Sequence, residues 1–183
     1  MAASAKKAGR IAAEGMAYAT VIDGVGVVVE VNAETDFVAK NEKFVEFVKE
    51  AAKVIMQQNP ADVEALMNCK MGEGTVDEAL KQLILVIKEN IKVRRFAFFT
   101  EGVSVPYVRA GGKIGVLVVL DTDLPAEKVE TVGKDVAMQL AALNPRFWDK
   151  SQVDQATLDG EQKVRTVRTA NDHARPSNPD HAP

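Results

Sequence analysis

The sequence predicts an α+β protein: two small antiparallel sheets, each with helices packed on one face, followed by a disordered C-terminal tail. Two observations carry this. A β-hairpin signal followed by an amphipathic helical pattern occurs twice in succession. Beyond about residue 150, large apolar residues thin out and prolines gather at Pro176, Pro179 and Pro183.

Residues 1–14 are rich in Ala and Lys, favour helix, and read as a helical lead-in to a first subdomain over 15–103. In that subdomain, Ala17–Ile22 and Val25–Val31 are β-rich runs on either side of Asp23-Gly24. Such a pair suits a type I′ turn, whose central residues need positive φ. Phe44, Phe47, Val48, Ala51 and Ile55 then recur at helical spacing as one apolar face, and Asn59-Pro60 stops the helix. A loop at Gly72–Gly74 leads into a second helix from Val76 to Lys88, with Val76, Leu80, Leu83, Ile84 and Ile87 on one side. A Val- and Phe-rich strand, Lys92 to Phe99, ends near Glu101-Gly102.

The second subdomain, 104–150, opens with a hairpin of Val105–Val108 and Ile114–Leu120 joined by Ala110-Gly111-Gly112. A helix follows from Pro125, a good first-turn residue, to Leu143, with Val129, Val132, Val136, Leu140 and Leu143 expected to line its buried side. Residues 151–183 are expected to hold a short helix near Gln155–Val164 and to be disordered beyond it.

Composition narrows the function classes. The 183 residues are 46% hydrophobic and 27% charged, as in a globular protein. A formal net charge of -3 argues against a partner recognised through a phosphate backbone, and leaves protein partners open. The lone Cys69 fits a reducing compartment, no apolar run approaches the roughly 20 residues that cross a bilayer, and the basic start is not followed by an apolar signal segment. A cytoplasmic protein is expected, with no nucleic-acid or membrane partner.

Enzymatic chemistry finds little support. The two histidines, His173 and His181, fall in the expected tail, so neither is placed to activate a Ser or Cys nucleophile. Walker A, HExxH and paired-Cys zinc patterns are missing from the sequence. Carboxylate-only chemistry stays open. Glu30, Glu34 and Asp36 could suggest a metal, but without a nearby histidine they read as a solvated acidic patch, so no metal or cofactor is expected.

Thr35-Asp36-Phe37-Val38 lies where the second strand passes into the first long helix. Thr35 reads as the helix N-cap, with Asp36 favoured in the first turn by the helix dipole. By spacing alone Phe37, seven residues before Phe44, reads as core. Gly111 and Gly112 read as turn residues, with a phosphate-approaching loop as the other option. Arg94 and Arg95 could meet an acidic partner or stand solvated on a strand face.

Several blocks carry a family resemblance. Lys6-Lys7-Ala8-Gly9-Arg10-Ile11-Ala12-Ala13-Glu14-Gly15 looks like the segment that opens the core of elongation factor Ts. Val29-Glu30-Val31-Asn32-Ala33-Glu34-Thr35-Asp36-Phe37-Val38-Ala39-Lys40-Asn41 looks like its signature. Glu89-Asn90-Ile91-Lys92-Val93-Arg94-Arg95 is similar to its third-strand motif, and Gly111-Gly112-Lys113-Ile114-Gly115-Val116-Leu117-Val118 to its second hairpin. Asp135-Val136-Ala137-Met138, with Ala141-Ala142 and Pro145, resembles the helix that follows. The blocks fall in the family's order across residues 6–150.

The resemblance implies a guanine-nucleotide exchange factor of translation elongation, without covalent chemistry of its own. It would bind elongation factor Tu in its GDP state and speed GDP release. Thr35, Asp36, Phe37 and Val38 would insert beside the partner's Mg²⁺ site, Phe37 as a wedge and Asp36 near the displaced metal. Asn41, Arg109 and Gln139 would be secondary contacts; at the last two the family often carries histidine. The family also has a ubiquitin-associated-like module ahead of the Lys6–Gly15 segment and a helical insertion and a further strand after Pro145. Those parts are not matched here, so the second half is expected to be incomplete, with a sheet edge that a third strand would cover. From Arg165 the tail reads unlike the family. The alternative is an exchange-deficient, truncated adaptor or gene fragment that keeps the fold and weak partner binding. Self-association is left open.

Overall fold

Strict alternation along one strand organises the molecule. In Val25–Ala33 (β2), Val27, Val29, Val31 and Ala33 are wholly buried and point to one side, where they meet the helices. The computed structural model describes residues 10–147 and 149–160; the expected lead-in over 1–9 and the tail beyond 160 lie outside them. The chain divides after Leu143 into two compact units.

In the first unit, Glu14–Ile22 (β1) and β2 form the expected hairpin, with Ile22 opposite Val25. Its turn residues Asp23 and Gly24 both have positive φ, 51° and 82°, as a type I′ turn requires. Residues 10–13 carry no helix. Lys92–Phe99 (β5) completes an antiparallel sheet in the order β1-β2-β5. The register slips between Glu30 and Val31: Glu30 faces Arg95 and Val31 faces Val93, so Arg94 is the extra residue of a β-bulge.

Glu42–Gln58 (α1) buries Phe44, Phe47, Val48, Ala51 and Ile55, the face read from spacing, and ends on Asn59 in the left-handed conformation. Val63–Asn68 (α2), a six-residue helix capped by Asp62, was not expected from the sequence. It is too short to show a period; only Leu66 is buried. The expected loop at 72–74 is the turn of a two-residue hairpin, Lys70–Met71 (β3) and Gly74–Thr75 (β4). Thr75 then starts Val76–Ile87 (α3) with a full capping box: its hydroxyl accepts the Glu78 N–H, and the Glu78 carboxylate accepts the Thr75 N–H.

Val103–Arg109 (β6) and Ile114–Leu120 (β7) pair antiparallel as a second, two-stranded sheet. This sheet packs on the first, with Gly26 of β2 set against Ser104 and Leu117. Ala126–Leu143 (α4) covers its other side.

Here one expectation is corrected. The buried residues of α4 are Val129, Gly133, Ala137 and Ala141, whereas Val132, Val136, Leu140 and Leu143 are 58%, 41%, 36% and 67% exposed. The cause is close approach. A Cβ at Gly133 would lie 2.5 Å from Val105 Cγ2, so the helix seats on β6 through its small residues. The large apolar side chains that mark helical spacing in the sequence are left on its flank.

The second unit is slight among its described residues. The Arg146 guanidinium lies 5.3 Å over the Phe147 ring. Lys150–Gln152 form a 3₁₀ turn and residues 155–160 are helical, within the span expected for a short helix. The Asp154 carboxylate accepts the Thr157 N–H at 2.7 Å, and this bond holds its pKa below the usual aspartate value.

Candidate functional site

The corner between β2 and α1 is built from residues that the strand and helix leave over. After Ala33 the chain leaves the sheet. The Glu34 carboxylate accepts the Asn90 N–H at 2.6 Å and lies 3.6 Å from the Arg10 guanidinium. The Glu89 carboxylate holds Thr35 at two points, accepting its backbone N–H at 3.0 Å and its hydroxyl at 2.6 Å. The Glu34-Thr35 and Glu89-Asn90 segments, far apart in sequence, are thus joined by reciprocal hydrogen bonds, each glutamate accepting from the other segment.

Thr35 is therefore not the N-cap of the helix, as its position suggested. A single 3₁₀ turn, Val38–Lys40, intervenes, and Asn41 caps α1 by accepting the Lys43 N–H on its side-chain oxygen at 3.0 Å. The turn closes through Lys40 N–H to Phe37 O at 3.2 Å and Asn41 N–H to Val38 O at 2.9 Å. The extra turn comes from Val38, which is 5% exposed and packs in the main core. Burying it pulls the chain inward before the helix begins.

Between Thr35 and Val38 stand Asp36 and Phe37, both exposed. Phe37 is 79% accessible, so the reading of it as core is overturned. Leaving a phenyl ring in water forgoes roughly 1.5–3 kcal/mol of burial, which a partner surface could recover.

The tip of the second hairpin lies beside this corner. Ala110–Gly112 form a tight turn near Val38–Lys40, closed by Lys113 N–H to Ala110 O at 3.4 Å, with positive φ at Ala110, Gly111 and Gly112. A Cβ on Gly112 would come within 2.8 Å of Met16 Cγ, so only glycine lets the tip settle on β1. Arg109, exposed at the end of β6, is thereby carried to the same region. Gln139 stands on the exposed side of α4, whose main packing partners are β6 and β7.

Of the acidic residues, Glu30 and Glu34 are engaged in the fold, whereas Asp36 is exposed. Glu30 receives Arg95 Nε at 2.7 Å and an Arg94 terminal nitrogen at 3.4 Å, both arginines converging because of the bulge. Burial works to raise the Glu30 pKa, but hydrogen bonds from Arg95 and Asn32 and the charges of Arg95 and Arg94 hold it below its usual value. Among the described residues, no three His, Cys, Asp or Glu side chains gather as a metal site would need. None of the described helices is long and apolar enough to cross a membrane.

Sequence reasoning singled out Thr35–Val38, of which Thr35, Asp36 and Phe37 are exposed and Val38 is buried, but missed Glu34, Glu89 and Asn90 as the residues that hold the corner. Their partners lie 54 and 56 positions away, beyond any local pattern. The available signal was that Glu89-Asn90 opens the third-strand block and Glu34 directly precedes Thr35.

Comparison with known proteins agrees with the motif blocks. The family described as Elongation factor TS matches residues 34–180. That span includes the tail from Arg165, which was expected to depart from the family. Among similar proteins, Elongation factor Ts of Clostridium botulinum is 43% identical over 177 residues, covering 94% of this chain and 58% of that protein. Elongation factor Ts of Trichlorobacter lovleyi is 43% identical over 189 residues, covering 97% of this chain and 60% of its own length. That of Clostridium novyi is 44% identical over 179 residues, with 94% and 58% covered. The chain thus spans about three fifths of the length of these relatives.

Proposed function

This chain belongs to the elongation factor Ts family, and from that premise we propose that it is a cytoplasmic guanine-nucleotide exchange factor acting on elongation factor Tu. It binds the GDP-bound partner and promotes GDP release, with no covalent step of its own. The observation that carries this reading is the exposed ring of Phe37, held between two anchored residues, Thr35 and the buried Val38.

The physical logic is linkage. A translational GTPase grips its nucleotide through phosphate-binding backbone amides, a lysine and Mg²⁺. A partner that binds the empty state more tightly than the filled one weakens GDP by the same free energy by which GDP weakens the partner. Phe37 supplies apolar area that is desolvated only when the ring enters the GTPase. Its rigid mounting keeps the ordering cost of that step small. The Asp36 carboxylate, next to it, opposes the phosphates by charge and competes for the metal's coordination. Val38 anchors the tetrapeptide from behind. Arg109 and the side-chain amide of Asn41 act as secondary contacts beside the corner, and Gln139 as one on α4.

A fluorescent-GDP release assay on elongation factor Tu tests the proposal. The expected result is acceleration that rises with the concentration of this chain and falls at least tenfold on Phe37→Ala. Flat release rates across the concentration range would leave only an adaptor that keeps the fold without exchange.

A further inference from the structure

We propose that Glu89 is a positioning residue for the exchange corner: by holding Thr35 at two points, its carboxylate sets the direction in which Phe37 is presented. The proposal rests on the exchange reading above, and it adds a residue outside the tetrapeptide. Glu89 lies just after the C-terminal end of α3, where Lys88 takes the left-handed conformation and turns the chain toward β5. That turn brings the carboxylate to Thr35, accepting the amide at 3.0 Å and the hydroxyl at 2.6 Å.

The arrangement around it is reciprocal. The carboxylate of Glu34 accepts the Asn90 N–H, and the carboxamide of the buried Asn90 donates to Arg10 O at 2.7 Å. Two adjacent acids from two segments therefore latch each segment to the other. Without Glu89, the last fixed point before Val38 would be Glu34, and three residues would be free to move in place of two. Each freed residue multiplies the backbone conformations open to the corner.

The latch is poorly placed to stabilise the whole fold. Thr35 is exposed and is not part of the main core, which runs from Val27 to Val93. Exposed charge-assisted bonds contribute little to global stability but do fix local geometry. Its consequence is thus expected in the motion of the corner and in the rate of exchange, not in the melting temperature.

The experiment combines two readouts on the full chain. Amide hydrogen exchange at Thr35 is followed by NMR in the free protein, and GDP release from elongation factor Tu is followed at saturating and sub-saturating factor. For Glu89→Ala we expect Thr35 protection to fall at least tenfold while Val29 and Phe96 keep theirs. The maximal release rate should drop roughly tenfold, as loss of a charge-assisted pair of bonds allows, with a smaller change in half-saturation. Glu89→Gln, which keeps one acceptor oxygen, should recover part of both effects, and Thr35→Val, which loses the hydroxyl bond but keeps the amide bond, should show a partial loss of both should Glu89→Ala not fold. Unchanged Thr35 protection in these variants overturns the proposal, as does unaltered release when Phe37→Ala slows it. If Phe37→Ala leaves release unaltered, the exchange reading fails, and the latch is judged on Thr35 protection alone.

Discussion

The carboxylate of Glu89 accepts both the amide and the hydroxyl of Thr35, at 3.0 and 2.6 Å, across 54 positions of sequence. On the far side of the same corner, Val38 is sunk in the core. Phe37 stands between these two fixed points with 79% of its surface in solvent. An exposed apolar ring on a backbone anchored on both sides suits docking, because less of the chain is left to order on binding.

Phe37 and Val38, neighbours in sequence, should part company on substitution. Phe37→Ala is expected to change stability by less than about 0.5 kcal/mol, as for an exposed site, while cutting GDP release sharply. Val38→Ala removes buried methyl groups and should cost about 1–3 kcal/mol. Urea unfolding of both variants checks this; destabilisation of several kcal/mol by Phe37→Ala would mean that the ring is buried in solution.

Helix α4 gives a second contrast. Gly133→Val places methyl groups against Val105, and overpacking of this kind costs about 1–3 kcal/mol. Leu143→Ser alters a residue that is 67% exposed and should stay within about 0.5 kcal/mol. Thermal melts that rank these two variants in the opposite order would contradict the seating of α4 through its small residues.

Ser104 Oγ is buried between the two sheets and has no hydrogen-bond partner among the described residues. Removing an unsatisfied buried hydroxyl relieves a desolvation penalty of about 1–3 kcal/mol, set against a small loss of packing. Ser104→Ala should therefore be neutral or stabilising. A clear fall in chemical-denaturation midpoint would show that the hydroxyl has a partner in solution.

Glu30 predicts a pH dependence whose sign follows from its lowered pKa. Burial opposes the shift, and Arg95, Asn32 and Arg94 outweigh it. The group ionises more readily folded than unfolded, so its contribution is fully present above the usual glutamate value of 4.5. It is lost as pH falls through the lower folded value. Glu30→Gln should be less stable than the parent near neutral pH, and the gap should narrow as pH falls below 4.5 and through the lower folded value. A stability gap that persists unchanged to pH 3 would indicate that the carboxylate charge is not the source.

The hairpin-helix order, the bounds of β5 and β7, and the apolar face of α1 were legible in the sequence because each is a local matter. Period and turn residues act over a few positions, and Asp23-Gly24 or the Asn59-Pro60 stop can be read where they stand. The motif order across residues 6–150 likewise carried the family without any coordinates.

What only the tertiary structure decided is which surface each residue meets. The spacing of Val132, Val136, Leu140 and Leu143 describes a helix face, but the nearness of Val105 to Gly133 determines that another face is buried. Thr35 has the chemistry of a cap, yet the burial of Val38 moves the helix start to Asn41 and leaves Thr35 to Glu89. In both cases close packing outweighed a local pattern, at Thr35 a capping preference worth about 1 kcal/mol, and Phe37, beside the buried Val38, stands in solvent.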